Sequence, residues 1–334
     1  MLMLVKIINK IFLLLHVLIS NRKYIQNGLY CVNQSFTVLY SKKMIKRAFD
    51  EEKYLFTTIT DGYNMYRKIF SKIFVFPVIS IVKKSDASVI LLSTQNDYVK
   101  IFDYNNNIIV NCYNDNFTLR RDISNKIKWS EYFKVVPFEI DNNDCVLIEQ
   151  LILKKDIELE KMFFKIIKKY AENDRLVKTK ITGNTSDLIK QLMALSKWLK
   201  LDMLQETERY LSNNNCFSLT HGDLWSSNLL YDGSEVYFID FEYVGYRFFF
   251  YDIFCFMFSE ALLRNNGILL RQYFNNVFDE FFITFFSLYE QKFDTNYKKA
   301  YFNVFLTIYF MERWGASAES NFFEKIQQII NVYM

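Results

Sequence analysis

The sequence is poor in the residues that metal centres and disulfide scaffolds need. Among its 334 residues there are only two histidines, His16 and His221, which is too few for a histidine-rich metal centre. The five cysteines, at positions 31, 112, 145, 216 and 255, form no C-x-x-C pair and are odd in number. They predict neither a zinc site nor a disulfide framework, so a reducing, cytoplasmic compartment suits the chain best.

Charge of one sign and flexible linkers are also scarce. The 41 Lys and Arg residues exceed the 37 Asp and Glu residues by a net charge of +4, with no basic stripe, which excludes nucleic acid as an expected partner. With two prolines and eight glycines, the chain has no linker rich in Gly, Ser or Pro. Apolar residues make up 51% of the sequence and aromatic residues 18%, which predicts a large buried core and argues against disorder.

Residues 1–20 form an apolar segment that needs its own interpretation. The run at 11–19 is short for a membrane span, which takes about 20 apolar residues, and no small-residue cleavage site follows it. On a helical wheel one narrow arc holds the polar residues Lys6, Asn9, Lys10, His16 and Ser20. We therefore expect a helix with a wide apolar face, which either packs on the protein or lies on the inner surface of a membrane.

Strand and helix patterns occupy different parts of the chain. Strands rich in Val, Ile, Phe and Tyr are predicted at 74–82, 89–93, 98–102, 108–113, 135–140 and 145–151, with a helix at 116–127. Helices are predicted at 157–170, 186–211, 251–264, 269–291, 297–314 and 322–332, around one β interlude at 217–243. This order predicts an α+β protein with a helical extension at 1–73, a small β-rich lobe at 74–153 and a large helical lobe at 154–334.

The β interlude carries a regularly spaced set of polar residues. His221, Asp223 and Asn228 lie in the segment 221–228, which we call the catalytic loop, and a hairpin then returns a strand that ends at Asp240. Phosphoryl transfer to a hydroxyl needs a carboxylate that orients the hydroxyl and accepts its proton, together with hard oxygen ligands for Mg²⁺. The spacing H-x-D-x-x-x-x-N, followed by an aspartate at a strand end, supplies this set.

Each residue of the set has an expected role. Asp223 is the predicted base, and Asn228 and Asp240 are the predicted Mg²⁺ ligands. His221 is expected to orient the catalytic loop through hydrogen bonds rather than to titrate. Gly222 allows the backbone to turn tightly between His221 and Asp223.

These residues resemble a known family. The segment His221-Gly222-Asp223-Leu224-Trp225-Ser226-Ser227-Asn228, with Ile239-Asp240-Phe241-Glu242-Tyr243, is similar to the aminoglycoside phosphotransferase and choline kinase family. Tyr251-Asp252-Ile253 adds a particular similarity to its choline and ethanolamine kinase branch. The clear resemblance covers 216–256 and extends by pattern over 74–315.

The resemblance implies a two-lobed, protein-kinase-like fold that uses ATP and Mg²⁺. The implied acceptor is a small hydroxyl compound such as choline or ethanolamine, a sugar or a cell-envelope glycan. It also implies that backbone groups at Glu149 bind adenine and that Asp252 braces the catalytic loop. For Asp252, an ordinary acidic residue at a helix N-terminus is the open alternative.

The small lobe leaves two alignments open. No glycine occurs between Gly62 and Gly183, so a glycine-rich phosphate loop is absent. In one alignment residues 83–88 replace that loop and Lys100 is the strand lysine that steadies the phosphates. In the preferred one residues 93–96 replace it, the lysine position falls near Asn111 and is lost, and the following helix offers Asp122 as the acidic residue. Without the lysine, the alternative function is a pseudokinase that binds nucleotide without efficient turnover.

Aromatic residues cluster around the motif. Tyr243 and Trp225 are among those that could cage a quaternary ammonium group, stack on a sugar ring or belong to the core. Which of these applies is left open by the sequence.

Overall fold

The computed structural model of the chain describes residues 19, 24–25, 28–32, 38–41, 75–78, 88–92, 98–141, 145–313 and 320–333. The expected helix at 1–20, apart from Ile19, lies outside the described residues. So do the candidate phosphate loops at 93–96 and, apart from Ser88, at 83–88. Within the described part of the chain, no helix is long and apolar enough to cross a membrane.

Eight strands form one antiparallel sheet in the order β3-β1-β2-β4-β5-β6-β8-β7. They are β1 (Gly28–Val32), β2 (Val38–Ser41), β3 (Val75–Val78), β4 (Ser88–Leu92), β5 (Tyr98–Asp103), β6 (Ile108–Tyr113), β7 (Phe138–Asp141) and β8 (Val146–Gln150). Helix α1 (Asn116–Ser130) directly follows β6. The predicted strands from residue 74 to residue 151 are therefore present, with bounds that shift by a few residues.

The hairpin between β5 and β6 fixes the register of the strands before α1. Asp103 Oδ1 accepts the N–H groups of Asn105 and Asn106 at 3.0 and 3.2 Å, and Asn107 has a φ of 54°. Lys100 consequently pairs with Asn111 across β5 and β6. In the preferred alignment the lysine position lies on the strand that leads directly into the helix. That strand is β6, and its residue opposite Lys100 is Asn111, so the observed order favours the alignment without a strand lysine.

The segment expected as a helical extension, 1–73, differs from that expectation because it contributes β1 and β2 to the sheet. Both strands are short, so their local pattern carries little signal. Their hydrogen bonds come from strands distant in sequence, with Cys31 opposite Val75 and Tyr40 opposite Val89. Tertiary pairing rather than local pattern therefore sets their conformation.

The chain divides into two compact units. The first comprises residues 1–126, 134–155 and 230–237, and contains the large sheet. The second comprises 127–133, 156–229 and 238–334, and is mainly helical.

The helices of the second unit follow α1 in chain order. They are α2 (Leu159–Ala171), α3 (Asp174–Val177), α4 (Ser186–Leu195), α5 (Leu204–Asn213), α6 (Tyr251–Arg264), α7 (Ile268–Phe274), α8 (Asp279–Leu288), α9 (Lys298–Arg313) and α10 (Ser320–Tyr333). The helices predicted at 186–211 and 269–291 are each two helices. Met203 and Asn276 interrupt them with φ angles of 56° and 69°, which a right-handed helix does not allow.

The core of the second unit lies around α6 and α9. Residues 251–262 of α6 are all buried, and α9 is buried from Ala300 to Phe310. Their aromatic rings interlock, with Phe258 and Phe305 5.5 Å apart in edge-to-face contact. A helix that is apolar on every side must be buried, and burial fixes the two helix ends that reach the catalytic loop.

Short strands place the catalytic loop. Strands β13 (Gly245–Phe248), β10 (Cys216–Thr220) and β9 (Ile181–Thr182) form one sheet in that order, and β11 (Leu229–Tyr231) pairs with β12 (Val236–Phe238). The catalytic loop connects β10 to β11. A β-rich unit followed by a helical unit with an inserted hairpin is the α+β, protein-kinase-like fold predicted from the sequence, and that fold class is confirmed.

Candidate active site

Asp252 holds the beginning of the catalytic loop. Its carboxylate accepts the backbone N–H groups of His221 and Gly222 at 2.6 and 2.9 Å, and the hydroxyl of Tyr170 at 2.8 Å. The residue is completely buried at the N-terminus of α6. Burial of a carboxylate is tolerated because three donors replace its water. This geometry agrees with the expected bracing role.

Gly222 adopts a backbone conformation that other residues avoid. Its φ is +82°, and a Cβ atom there would lie 2.2 Å from the carbonyl oxygen of Tyr243 and 2.7 Å from Nη1 of Arg247. The glycine is therefore required both for the turn and for the close approach of these neighbours.

His221 is a buried structural link. Its Nε2 donates to the carbonyl oxygen of Ile239 at 3.0 Å, and its ring lies 5.5 Å from that of Trp129 and 5.4 Å from that of Phe241. Burial lowers the pKa of the imidazole, although nearby Asp252 opposes the shift. The enclosed imidazole ties the loop to the segment that presents Asp240, and its expected role in orienting the loop stays a prediction.

Asn228 and Asp223 are in direct contact. Asn228 Nδ2 donates to the main-chain oxygen of Asp223 at 2.7 Å and to its Oδ2 at 2.9 Å. The backbone oxygen of Asn228 accepts the N–H of Ile239 at 3.1 Å. The fold thus brings together Asp223, Asn228 and the residue that precedes Asp240.

Asp240 has a strained backbone, and its negative charge affects the pKa of Asp223. Its φ of 66° lies in the left-handed region, which costs a non-glycine residue about 1 kcal/mol or more and is frequent at functional sites. Burial raises the pKa of Asp223, and the negative charge of Asp240 raises it further, against the opposing effects of Arg313 and Asn228. The negative charges of the two carboxylates therefore oppose each other.

The donor set suits a hard divalent cation. Asp240 offers a carboxylate, and the amide oxygen of Asn228 points away from the nitrogen that binds Asp223. A cation here would relieve the repulsion between Asp223 and Asp240. Among the described residues no group of three or more His, Cys, Asp or Glu could hold a metal. One carboxylate and one amide oxygen would suit a Mg²⁺ ion whose coordination is completed by phosphates and water.

Arg313, which the sequence interpretation missed, contacts the predicted base. Its Nη2 donates to Oδ1 of Asp223 at 2.7 Å and to the carbonyl oxygen of Gly222 at 2.8 Å. Its guanidinium lies 4.2 Å from the ring centroid of Tyr243. Arg313 ends α9, 90 positions after Asp223, and nothing in the local sequence marks it.

A second arginine fixes the same end of α9. Arg247 donates from Nε to both carboxylate oxygens of Glu312, at 2.7 and 2.9 Å, and from Nη1 to the hydroxyl of Thr220 at 2.8 Å. Because Thr220 precedes His221 and Glu312 precedes Arg313, this bridge sets the position of Arg313 beside the catalytic loop.

The first unit contains a buried ion pair of its own. Lys126 on α1 is bonded to Oε1 of Glu149 on β8, and Asn111 Nδ2 donates to the other carboxylate oxygen of Glu149 at 2.7 Å. Lys126 is only 1% exposed, and burial lowers the pKa of its amine despite the neighbouring carboxylate. Lys100 is partly exposed on β5, and the Asp122 carboxylate lies 3.5 Å from Arg121. In the buried pair the cation, Lys126, is on helix α1 and the acid, Glu149, is on strand β8. The sequence interpretation did not identify this pair.

Comparison with known proteins supports the resemblance seen in the motifs. The profile of the choline/ethanolamine kinase family matches residues 125–271, which include the catalytic loop, Asp240 and Asp252. The resemblance to the choline and ethanolamine kinase branch is thereby confirmed over these residues. No curated protein matches the sequence.

Several solved structures are similar to the chain. A choline kinase from Streptococcus pneumoniae is 13% identical, with 72% of this chain and 90% of that one covered and a TM-score of 0.38. An ethanolamine kinase from Plasmodium vivax is 17% identical, with 69% and 77% covered and a TM-score of 0.37. An aminoglycoside phosphotransferase from Streptomyces rimosus in complex with ADP and streptomycin is 11% identical, with 66% and 92% covered and a TM-score of 0.37. Identities and scores this low assign no substrate.

Proposed function

We propose that the protein is an ATP- and Mg²⁺-dependent phosphotransferase that moves the γ-phosphate to a hydroxyl of a small molecule. The observation that carries the proposal is the contact of Asp223 with Asn228 in a loop whose backbone is bound by Asp252. The family match over 125–271 supports the phosphotransferase class. The acceptor classes implied by the resemblance are an amino alcohol such as choline or ethanolamine, a sugar and a cell-envelope glycan.

In this proposal Asp223 performs the proton chemistry. Its carboxylate hydrogen-bonds the acceptor hydroxyl and takes the proton as the hydroxyl oxygen bonds to the γ-phosphorus. The bond from that phosphorus to the β–γ bridging oxygen breaks, and its electron pair leaves with ADP. The proton then passes from Asp223 to water, which restores the carboxylate.

Asn228 and Asp240 would hold the Mg²⁺, which would supply positive charge to the nucleotide phosphates. Asn228 also keeps Asp223 oriented through its amide nitrogen. His221 does not exchange a proton with the substrates; it holds the loop against the segment before Asp240. Positioning and charge stabilisation supply most of the rate enhancement in such transfers, so these holding contacts matter as much as the base.

In the first unit we propose that Lys126 steadies the nucleotide phosphates while paired with Glu149. Phosphotransferases of this fold use a lysine that is fixed by an acidic partner, and the buried pair offers both groups with their elements exchanged. Glu149 itself is paired with Ile109 and Phe138, so the backbone just after β8, which continues from Glu149, is proposed to bind adenine. A pseudokinase is the second candidate, because the strand position expected for the lysine carries Asn111.

The deciding experiment measures Mg²⁺-dependent ADP production from ATP with choline, ethanolamine, sugars and aminoglycosides as acceptors. Asp223→Asn should lower kcat by about 100- to 10,000-fold, which is the usual contribution of a general base. Asp187→Asn is the matched control, since Asp187 is exposed on α4 and paired with Lys190. Acceptor-dependent turnover that survives in Asp223→Asn would refute the assigned base. Nucleotide binding without ADP formation on any acceptor would favour the pseudokinase.

A further inference from the structure

The guanidinium of Arg313 is stacked on aromatic rings beside the predicted base. It lies 4.2 Å from the ring centroid of Tyr243 and 5.2 Å from that of Tyr309, while its Nη2 donates to Asp223 and Gly222. Only 15% of its side chain is exposed. A cation over aromatic faces next to an acid is the arrangement by which proteins bind ammonium ligands. Here the chain's own cation fills it.

An ammonium acceptor would meet two obstacles at this position. It would have to displace Arg313 from Tyr243, or else approach a like charge at close range. Displacing Arg313 would also break its charge-assisted hydrogen bond to Asp223, which is a strong contact. Glu312, the acid next to Arg313 in sequence, is itself bound by Arg247 and so does little to offset the positive charge.

Arg313 also has a hydrogen-bond donor that remains unsatisfied. Its Nε is buried and has no hydrogen-bond partner among the described residues. Buried donors are nearly always paired, so a missing partner at a proposed substrate site points to a ligand atom. The atom that fits is an oxygen, either a hydroxyl or an anionic oxygen. A quaternary ammonium group has none to offer.

We propose that Arg313 determines acceptor specificity by excluding cationic acceptors and binding an oxygen that neighbours the reacting hydroxyl. The preferred acceptor is therefore a neutral or anionic polyhydroxyl compound rather than choline or ethanolamine. This inference rests on the proposed phosphotransferase function and narrows its acceptor class. Neutral and anionic acceptors both offer an oxygen that Arg313 can bind, and the kinetic test distinguishes these two acceptor classes.

The kinetic test compares acceptors of three charges: choline and ethanolamine, then glycerol and hexoses, then glycerol phosphate and hexose phosphates. For the wild type, kcat/KM for the best neutral or anionic acceptor should exceed that for choline by at least about tenfold. Arg313→Met should reduce that ratio by a similar factor, while Arg313→Lys, which keeps the charge, should retain most of it. A general loss of Asp223 orientation would lower all acceptors alike and leave the ratio unchanged. Arg271→Gln removes an arginine that lies over Tyr333, away from the catalytic loop, and should leave the ratio as it is.

A binding test decides the inference even if no acceptor is turned over. Tetramethylammonium binding is measured by calorimetry on folded wild-type protein and on Arg313→Met, with Arg313→Gln as a second variant if the first does not fold. The expected result is at least about tenfold tighter binding to the variant. Equal binding to both proteins, or a wild type that prefers choline, would overturn the specificity role of Arg313. Absence of ADP formation on every acceptor would instead count against the proposed function, and the binding result would still stand.

Discussion

The carboxylate of Asp252 and the backbone N–H of His221 are joined by a hydrogen bond of 2.6 Å. The same carboxylate accepts the N–H of Gly222, so one buried side chain satisfies two consecutive amides at the point where β10 becomes the catalytic loop. Asp252 stands in the first turn of α6, a helix that is buried from residue 251 to residue 262. Asp252 thus connects the segment just before the predicted base directly to the hydrophobic core.

Asp252→Asn should loosen the catalytic loop. An amide can accept with only one atom and would place an N–H₂ group against a backbone N–H. We expect a loss of roughly 1–3 kcal/mol in the free energy of unfolding and a fall in kcat, with a smaller effect on the KM for ATP. Urea unfolding and steady-state kinetics measure the two effects. Asp187→Asn should leave both nearly unchanged, and an Asp252→Asn protein with wild-type kcat would show that the brace is dispensable.

Gly222→Ala should be far more damaging than Gly245→Ala. At Gly222 the added methyl group would lie 2.2 Å from the carbonyl oxygen of Tyr243, and the alanine backbone would have to keep a positive φ. At Gly245 the nearest atom is the Nη1 nitrogen of Arg247 at 3.4 Å, an ordinary contact. Thermal and urea unfolding should show a loss of at least roughly 2 kcal/mol for the first variant and a small change for the second. Equal stability of the two variants would contradict the geometry at Gly222.

The parts of the site that follow from local pattern could be predicted from the sequence. The spacing from His221 to Asn228, the hairpin and the aspartate at 240 are consecutive in the chain, so one short segment contains their geometry. Helix α6 was predicted with its observed bounds because a continuous apolar stretch ends at Arg264, where Asn265 takes a left-handed conformation. Such signals depend only on near neighbours.

The remaining features depend on pairing over long sequence distances. Arg313 meets Asp223 across 90 positions, and Lys126 meets Glu149 across 23. Both cations are ordinary members of helix termini or helix faces when the sequence is considered alone. Only the tertiary fold buries Lys126 and Arg313 and places each beside its acidic partner, so neither pair can be predicted from the local sequence.

Lys126 rather than Lys100 should serve the nucleotide. Lys126→Met is expected to raise the KM for ATP by roughly tenfold or more, because a charge-assisted contact is lost, whereas Lys100→Met should have little effect. The Asn111 side chain lies 2.7 Å from Glu149, so a lysine introduced there can reach the same carboxylate. The double variant Lys126→Met, Asn111→Lys should therefore recover part of the ATP affinity.

The same variants decide between the two strand alignments. A large effect of Lys100→Met with a mild effect of Lys126→Met would restore the alignment that places the functional lysine on β5. Recovery of thermal stability in the double variant without recovery of ATP affinity would limit the pair to a structural role. Nucleotide affinity and unfolding temperature are therefore measured on each protein.

The burial of His221 predicts how stability depends on pH. Its pKa is lowered in the folded protein, whereas in the unfolded chain it is near 6.5. The unfolded state therefore binds more protons as the pH falls below about 6.5, so a stabilisation that is complete above that pH is lost as the pH falls toward the folded pKa. For one histidine the slope reaches at most about 1.4 kcal/mol per pH unit. Urea unfolding from pH 7.5 to pH 5 should show a smaller loss in His221→Gln than in the wild type.

His16→Gln provides the matched control for this titration, since it removes the other histidine of the chain. The raised pKa of Asp223 has the opposite sign, because a carboxyl that is more easily protonated in the folded state gains stability as the pH falls. That contribution is common to the wild type and both histidine variants, so it cancels when their slopes are compared. If His16→Gln rather than His221→Gln flattened the pH dependence, the buried imidazole would not be its source, and His221 would have to be charged or exposed in solution.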